Sequence, residues 1–241
     1  MAYAVISDVH SNLEAIRTVF EDLKRKKIKD VFSLGDSVGY GAEPNECIEL
    51  LKTECKVILA GNHDWGVCGL TDIAFFNEYA RAAIEWTRDV ITEENIAELR
   101  SFPVKSEPKE KNITLVHSTP YQPEQWHYLF RLSDAEFNFR HFDTDICFIG
   151  HSHQPVIIEK TPSGELVAYK NTASVRYGSR YIINVGSVGQ PRDGDPRACY
   201  AVVDEGKVEI ARIRYDIEAA QTKMLEAGLP LPLIERLSSG V

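Results

Sequence analysis

Five short stretches of this chain combine carboxylate, amide and imidazole side chains. Each follows an apolar run. They are Asp8-Val9-His10, Gly35-Asp36, Gly61-Asn62-His63-Asp64, His117, and Gly150-His151-Ser152-His153. The chain has 7 histidines, and His10, His63, His117, His151 and His153 all fall in these stretches. Each piece taken singly has a plain structural role. An Asp or Asn after a strand commonly caps a helix, a Gly-His-Ser-His loop makes a surface turn, and a solitary His117 is most often a satisfied core residue. Recurrence at the same end of successive strands points instead to one shared site, because α/β sheets gather binding groups beyond the carboxyl ends of their strands. Residues i and i+2 of an extended backbone point the same way. That spacing would aim Asp8 with His10, and His151 with His153, into one crevice. Gly35, Gly61 and Gly150 suit tight turns there.

The donors are carboxylate, amide and imidazole without thiolate, a set that suits first-row ions and not a thiolate zinc site or a calcium cage. Asp8, His10, Asp36, Asn62, His117, His151 and His153 are too many ligands for one ion and about right for two. Two divalent ions roughly 3.5–4 Å apart are the usual machinery for hydrolysing phosphate esters. Against the carboxylates of Asp8 and Asp36 they would leave an electropositive pocket in an otherwise acidic chain. His63 is spare in this scheme and suited to protonating a leaving oxygen, with Asp64 orienting its ring. Arg192 and Arg197 could clamp a phosphate, unless they pair with Asp193 or Asp195. Tyr40, Trp65 and the aromatic segment 121–130 could stack on a base or an aryl group, or simply pack.

The elements that must position these groups follow from hydrophobic periodicity. Strands are expected over 2–6, 30–34 and 56–60, with helices over 12–27 and 43–53 between them. This β-α-β-α-β order implies a parallel arrangement. Residues 70–101 read as two helices, the second capped by Thr92. Residues 104–107 and 113–116 suggest a hairpin, 118–132 a loop, 133–140 a helix capped by Ser133, and 145–149 a buried strand. Beyond residue 153, alternating segments at 156–160, 165–169, 181–185, 199–204 and 207–215 read as antiparallel. A helix from 216 to about 227 and a second short one complete the pattern. The expected fold is an α/β sandwich of two sheets with helices outside, one half parallel and one half antiparallel. It forms a single domain with its core over 1–215 and a helical tail over 216–241.

Composition narrows the function. The chain has 241 residues, 44% of them hydrophobic, enough for a sizeable core. Its formal charge of −9 argues against generic nucleic-acid binding. The only dense basic run, Lys24 to Lys27, falls where it complements the dipole at the end of the first helix. No apolar run reaches the ~18 residues of a membrane span, and the amino-terminal stretch reads as a strand and not a leader. The 5 cysteines are scattered, with no C-x-x-C, which fits a reducing cytoplasm.

The series D-x-H, G-D, G-N-H-D, a later His and G-H-x-H, in this order, resembles the calcineurin-like metallophosphoesterase superfamily over residues 2 to about 204. Gly35-Asp36-Ser37-Val38-Gly39-Tyr40-Gly41 with Pro44-Asn45-Glu46 looks like a bacterial and archaeal branch described as phosphodiesterase-like or diadenosine-tetraphosphatase-like. Asn184 to Arg192 is similar to the Asn-Pro-Gly-Ser loop of small members, with Val185 in place of proline, and Ser118 stands where many relatives have Gly. The resemblance implies a four-layer α/β/β/α sandwich of two mostly mixed β-sheets flanked by helices. It also implies that Asp8, His10, Asp36 and His153 hold one metal and that Asp36, Asn62, His117 and His151 hold the other. Asp36 and a water or hydroxide would form the bridge. Manganese is the first expectation, with iron, zinc, nickel or cobalt as alternatives. The expected activity is hydrolysis of a phosphodiester on a phosphorylated small molecule or nucleotide. Dinucleoside polyphosphate hydrolysis and protein serine/threonine dephosphorylation are the alternatives, and a non-catalytic metal-binding scaffold is a remote one. Self-association into a homo-oligomer is left open.

Overall fold

Residues 2–241 are described by a computed structural model. β1 (Tyr3–Ile6), α1 (Leu13–Arg25), β2 (Asp30–Ser33), α2 (Pro44–Glu54) and β3 (Val57–Ile58) come first. They are followed by α3 (Asn62–Cys68), α4 (Glu78–Val90) and α5 (Glu93–Ser101). β4 (Lys105–Ser106), β5 (Ile113–Val116), α6 (Leu132–Asn138) and β6 (Ile146–Ile149) lead into β7 (Val156–Lys160), β8 (Leu166–Tyr169), β9 (Thr172–Ser174) and β10 (Arg180–Asn184). β11 (Ala198–Asp204), β12 (Lys207–Ile213), α7 (Ile217–Glu226) and α8 (Leu231–Ser239) close the order.

The strands make two 6-stranded sheets, β3-β2-β1-β11-β12-β9 and β4-β5-β6-β10-β7-β8. Side chains alternate across them with the period of two that strands impose. Tyr3, Val5, Phe148, Ile183 and Ala201 point between the sheets into one core, while Ala4, Ile6 and Tyr200 face α1 and α2 on the outer side. Cys147 and Ile149 face the cluster that includes Ala135 of α6 outside the second sheet. The expected α/β/β/α layering is therefore present.

Both sheets are mixed, as expected, but parallel and antiparallel pairing do not divide the chain into halves. Each sheet carries a parallel trio, β3-β2-β1 in one and β5-β6-β10 in the other. Antiparallel strands flank both trios. After the β7-β8-β9 excursion the chain returns through β10 beside β6, and the β11-β12 hairpin then crosses to extend the first sheet. Two parallel trios give the molecule two sets of carboxyl ends, and these frame the site.

Local chemistry explains the helix boundaries. Thr92 caps α5 as expected, its hydroxyl accepting from the Asn95 N–H. Ser133 does not cap α6. The Asp134 carboxylate instead accepts from the Phe130 and Arg131 N–H groups, because a charged acceptor in the first turn satisfies donors that a hydroxyl one residue earlier does not reach. Asn12 begins α1 and ties it to the site. Its Oδ1 accepts from the Ala15 N–H (3.1 Å), and its Nδ2 donates to the Gly189 carbonyl (2.9 Å) and the Tyr215 hydroxyl (3.2 Å). Asn12→Ala should lower the unfolding free energy by about 2 kcal/mol, through loss of the cap and of a buried carbonyl's donor. A urea midpoint shift at unchanged slope reads this. A change within experimental error would show that water or Ser11 replaces the amide.

The carboxyl-terminal helices pack tightly. Ala220, Met224, Leu229, Leu233 and Leu237 share a buried cluster with Tyr40 and with Ala80 and Ala83 of α4. Lys223 of α7 also pairs with Glu14 and Glu43. Among the described residues, no helix is long and apolar enough to cross a membrane.

Candidate metal centre

Beyond β1, β2, β3, β5 and β6 the chain delivers Asp8, His10, Asp36, Asn62, His117, His151 and His153 to one place. None is more than 8 % exposed. Their ligand atoms group as Asp8, His10 and His153 on one side and Asp36, His117 and His151 on the other, each set within 4.8 Å. Asn62 joins the second set, its Oδ1 lying 3.2 Å from His117 Nε2.

The aiming is not done by extended backbone, as the i, i+2 spacing suggested. Asp8, His10, Asp36, His151 and His153 all have φ between 50° and 64°, in the left-handed region. Asp, Asn and His tolerate that region better than most residues, and such conformations gather at functional sites. His151 and His153 go to different sets, whereas Asp8 and His10 share one. Asn184, Ser187 and Gln190 hold the loops in place. Asn184 Nδ2 donates to the Gly150 carbonyl (2.7 Å) and the Ser152 hydroxyl (2.9 Å), and the Ser187 hydroxyl donates to the Asp8 carbonyl (2.8 Å).

Hydrogen bonds fix the imidazole tautomers. His10 Nδ1 faces the Val38 carbonyl at 3.1 Å, and His153 Nδ1 faces the Gln190 carbonyl at 2.5 Å. A carbonyl only accepts, so both Nδ1 atoms carry hydrogen and both Nε2 atoms present lone pairs inward. Those two Nε2 atoms are 3.1 Å apart. Burial pushes both imidazoles below their usual pKa, toward the neutral form that ligates metals. Two lone pairs at that distance repel unless a cation lies between them. Asp8 Oδ1 is 3.1 Å from His153 Nε2 and buried, yet accepts no well-formed hydrogen bond. This is the chemistry of a metal site, and the residues fit one.

The second set repeats the logic. His151 Nε2 donates to the Trp126 carbonyl (2.9 Å), which leaves Nδ1 as its inward donor atom. Burial holds its pKa down to about 3. His117 is the exception. Burial lowers it, but the Asp36 and Asp8 carboxylates overcome this and raise it to about 9, a measure of how strongly the pocket favours positive charge. Burial acts to raise both carboxylates, and the surrounding histidines keep them ionised nonetheless. Asp36 Oδ2 lies 3.6 Å from His10 Nε2 and 3.3 Å from His117 Nε2, between the two sets.

Gly61 opens α3 as its N-cap, and Asn62 and His63 are the first residues of that helix. A Cβ at Gly61 would meet Asp36 Oδ1 at 2.1 Å, so only glycine lets this turn approach the carboxylate. The His63 N–H donates to Asp36 Oδ1 at 2.8 Å. Its ring packs among Tyr40 (4.4 Å), His10 (4.8 Å) and Phe76 (5.2 Å). Asp64 does not orient that ring. Its carboxylate accepts from the Gly61 N–H (2.9 Å) and the Val38 N–H (3.2 Å), because the third residue of a helix reaches back to its own start. Burial and the charge of Asp36 raise its pKa to about 7.

A cavity of about 660 Å³ opens beside the centre, with Asn62, His63, His151 and Arg192 on its polar side and Trp65, Phe76, Trp126 and Tyr128 among its aromatic walls. Tyr40 also lines it. Arg197 does not. Its guanidinium is held bidentate by Asp195, Nε to Oδ1 at 2.9 Å and a terminal nitrogen to Oδ2 at 2.6 Å, which satisfies its charge away from the cavity. Arg236, which approaches Tyr40 and Gln190, carries no local signal in the sequence, since the short helix expected at the end of the chain gives no hint of what it packs against.

The comparisons agree with this geometry. The profile of the Calcineurin-like phosphoesterase superfamily domain matches residues 1–207. An uncharacterized protein of Methanocaldococcus jannaschii is 44% identical over 242 residues, covering 98% of this chain and 97% of its own. The crystal structure of a metallophosphoesterase from Sphaerobacter thermophilus is similar at 41% identity and a TM-score of 0.87, covering 100% of this chain and 99% of that one. A hypothetical protein from Pyrococcus horikoshii OT3 shares the fold at 20% identity and a TM-score of 0.81, covering 100% and 98%. With buried lone pairs that call for a cation, two donor sets joined at Asp36, and this likeness along the chain, the protein belongs to the calcineurin-like phosphoesterase superfamily and is a metal-dependent phosphoesterase.

Proposed function

We propose that the enzyme is a phosphodiesterase for a small or nucleotide-like substrate, working with two divalent ions, of which manganese serves best. The observation that carries this is the shape of the cavity. Its lining includes Asn62, His63 and Arg192, which suit phosphate, and Trp65, Trp126 and Tyr128, which suit a flat organic group. Trp65 and Trp126 meet edge to face at 5.1 Å, and Tyr128 stacks on His151 at 4.0 Å. A diester has two organic arms, and a cavity of about 660 Å³ with several aromatic side chains suits a substrate of that size. The absence of thiolate from both donor sets favours manganese over a sulfur-loving ion. The 5 cysteines are unpaired, which supports a reducing, cytoplasmic setting.

Asp8, His10, Asp36 and His153 would hold one ion, and Asp36, Asn62, His117 and His151 the other. Ions held there would supply activated water and stabilise charge on the phosphoryl oxygens. The protein's own groups do the rest. Asn62 orients the reacting phosphoryl group, and the aromatic walls exclude water from it. His63 lines the cavity beside Asn62, where its ring is placed to give a proton to a departing alkoxide.

A panel of bis(4-nitrophenyl) phosphate, 4-nitrophenyl phosphate, a dinucleoside polyphosphate and a phosphopeptide, each with manganese, tests the reading. The diester should give the highest kcat/KM, by about tenfold or more over the monoester. A monoester or polyphosphate preference of the same size would replace it.

A further inference from the structure

Two arginines converge beside the cavity without a counter-charge. Arg192, in the loop after β10, and Arg236, on α8, both lie over the Tyr40 ring, with guanidinium carbons 5.6 and 4.7 Å from its centre. Both donate to one oxygen, Gln190 Oε1, at 3.1 and 2.5 Å, and Arg192 also donates to the Tyr40 hydroxyl at 3.2 Å. Carboxylates are close in sequence, but Asp193 is taken by Arg212 and Asp195 by Arg197. Among the described residues neither Arg192 nor Arg236 has an acidic partner, and the Nε of each is buried with no acceptor. Burial first, and then the neighbouring Arg192, pull the Arg236 pKa down to about 10.

Placing two like charges together, half-buried and unpaired, is costly in a chain that has 36 acidic residues to 27 basic ones. Unpaired guanidinium groups at the edge of a cavity offer the fork that phosphate recognises. Arg192 lines the same cavity as His63 and Asn62. Tyr40 links the two regions, its ring 4.4 Å from that of His63 and below both guanidinium groups.

We propose that Arg192 and Arg236 form a subsite for a second phosphate of the substrate, beside the phosphoryl group that reacts. The substrate class is then a phosphodiester whose alcohol arm carries a further phosphate, as in a nucleoside 3′,5′-bisphosphate ester. This rests on the reading of the cavity as the substrate pocket. It makes α8, beyond the 1–207 matched by the family profile, a specificity element.

The test is binding, which does not depend on turnover. Calorimetry with manganese present compares thymidine 5′-monophosphate with thymidine 3′,5′-bisphosphate. The bisphosphate should bind about 10- to 100-fold more tightly to the natural protein, the range of a charged hydrogen-bond pair. In R236Q that advantage should fall to near unity. R236M, which keeps the apolar stem over Tyr40, should do the same and guards against a folding defect in R236Q. Equal affinities in the natural protein, or a ratio preserved in both variants, would overturn the subsite while leaving the phosphodiesterase reading intact. Failure of both nucleotides to bind would overturn both together.

Discussion

Asp36→Asn should cut kcat/KM by about 10³- to 10⁴-fold and reduce bound metal, by elemental analysis, from about two ions per chain to one or fewer. The size follows from the several kcal/mol of charge stabilisation that an ion provides to such a transition state. The geometry explains why this residue carries so much. Its Oδ2 lies between His10 Nε2 at 3.6 Å and His117 Nε2 at 3.3 Å, so one atom faces both donor sets. Its Oδ1 is already used by the His63 N–H. An amide oxygen can keep that bond but brings no charge to the space between the sets. The backbone turn survives while the bridge is lost, so the far-ultraviolet dichroism should be unchanged. Retention of two ions with more than a tenth of the activity would remove Asp36 from the bridging position.

His63→Asn should separate substrates by leaving group. For an alkyl diester, whose alkoxide needs a proton, the loss should be about 10²- to 10⁴-fold. For a 4-nitrophenyl ester, whose leaving group departs unprotonated, it should be under about tenfold. Two ions should remain bound. That last measurement matters because His63 comes within 4.8 Å of the ligand atoms of His10 and Asp36, so distance alone does not separate a proton donor from a ligand. Equal losses on both esters, or loss of an ion, would overturn the acid role.

Much of this site was legible because metal chemistry demands rare residue types at strand ends, and strand ends are marked by apolar runs. Asp8, His10, Asp36, Asn62, His117, His151 and His153 were visible for that reason. What periodicity could not show was direction. Five of the seven candidate ligands, Asp8, His10, Asp36, His151 and His153, sit in left-handed backbone, and dihedral angles leave no trace in an apolar pattern. α3 was missed because its 7 residues include Gly66 and too few apolar positions to show a period. β9 was missed because only Ala173 of its 3 residues turns inward. Asp64 looked like a partner for the adjacent ring, but it belongs to its helix's first turn. Arg236 became visible only when α8 was placed against Tyr40, a long-range contact that no local signal encodes.

The left-handed backbone at Asp8, His10, Asp36, His151 and His153 also bears on how such a site would drift. At each of these positions two filters act at once, donor chemistry and steric tolerance of a positive φ. If catalysis ceased to matter, the first filter would lift and the second would remain. Mutational decay should then run toward asparagine and glycine, which accept that conformation, and away from valine, isoleucine and threonine. A gene library of this chain selected for folding alone, without activity, should therefore still bar β-branched residues from these five positions.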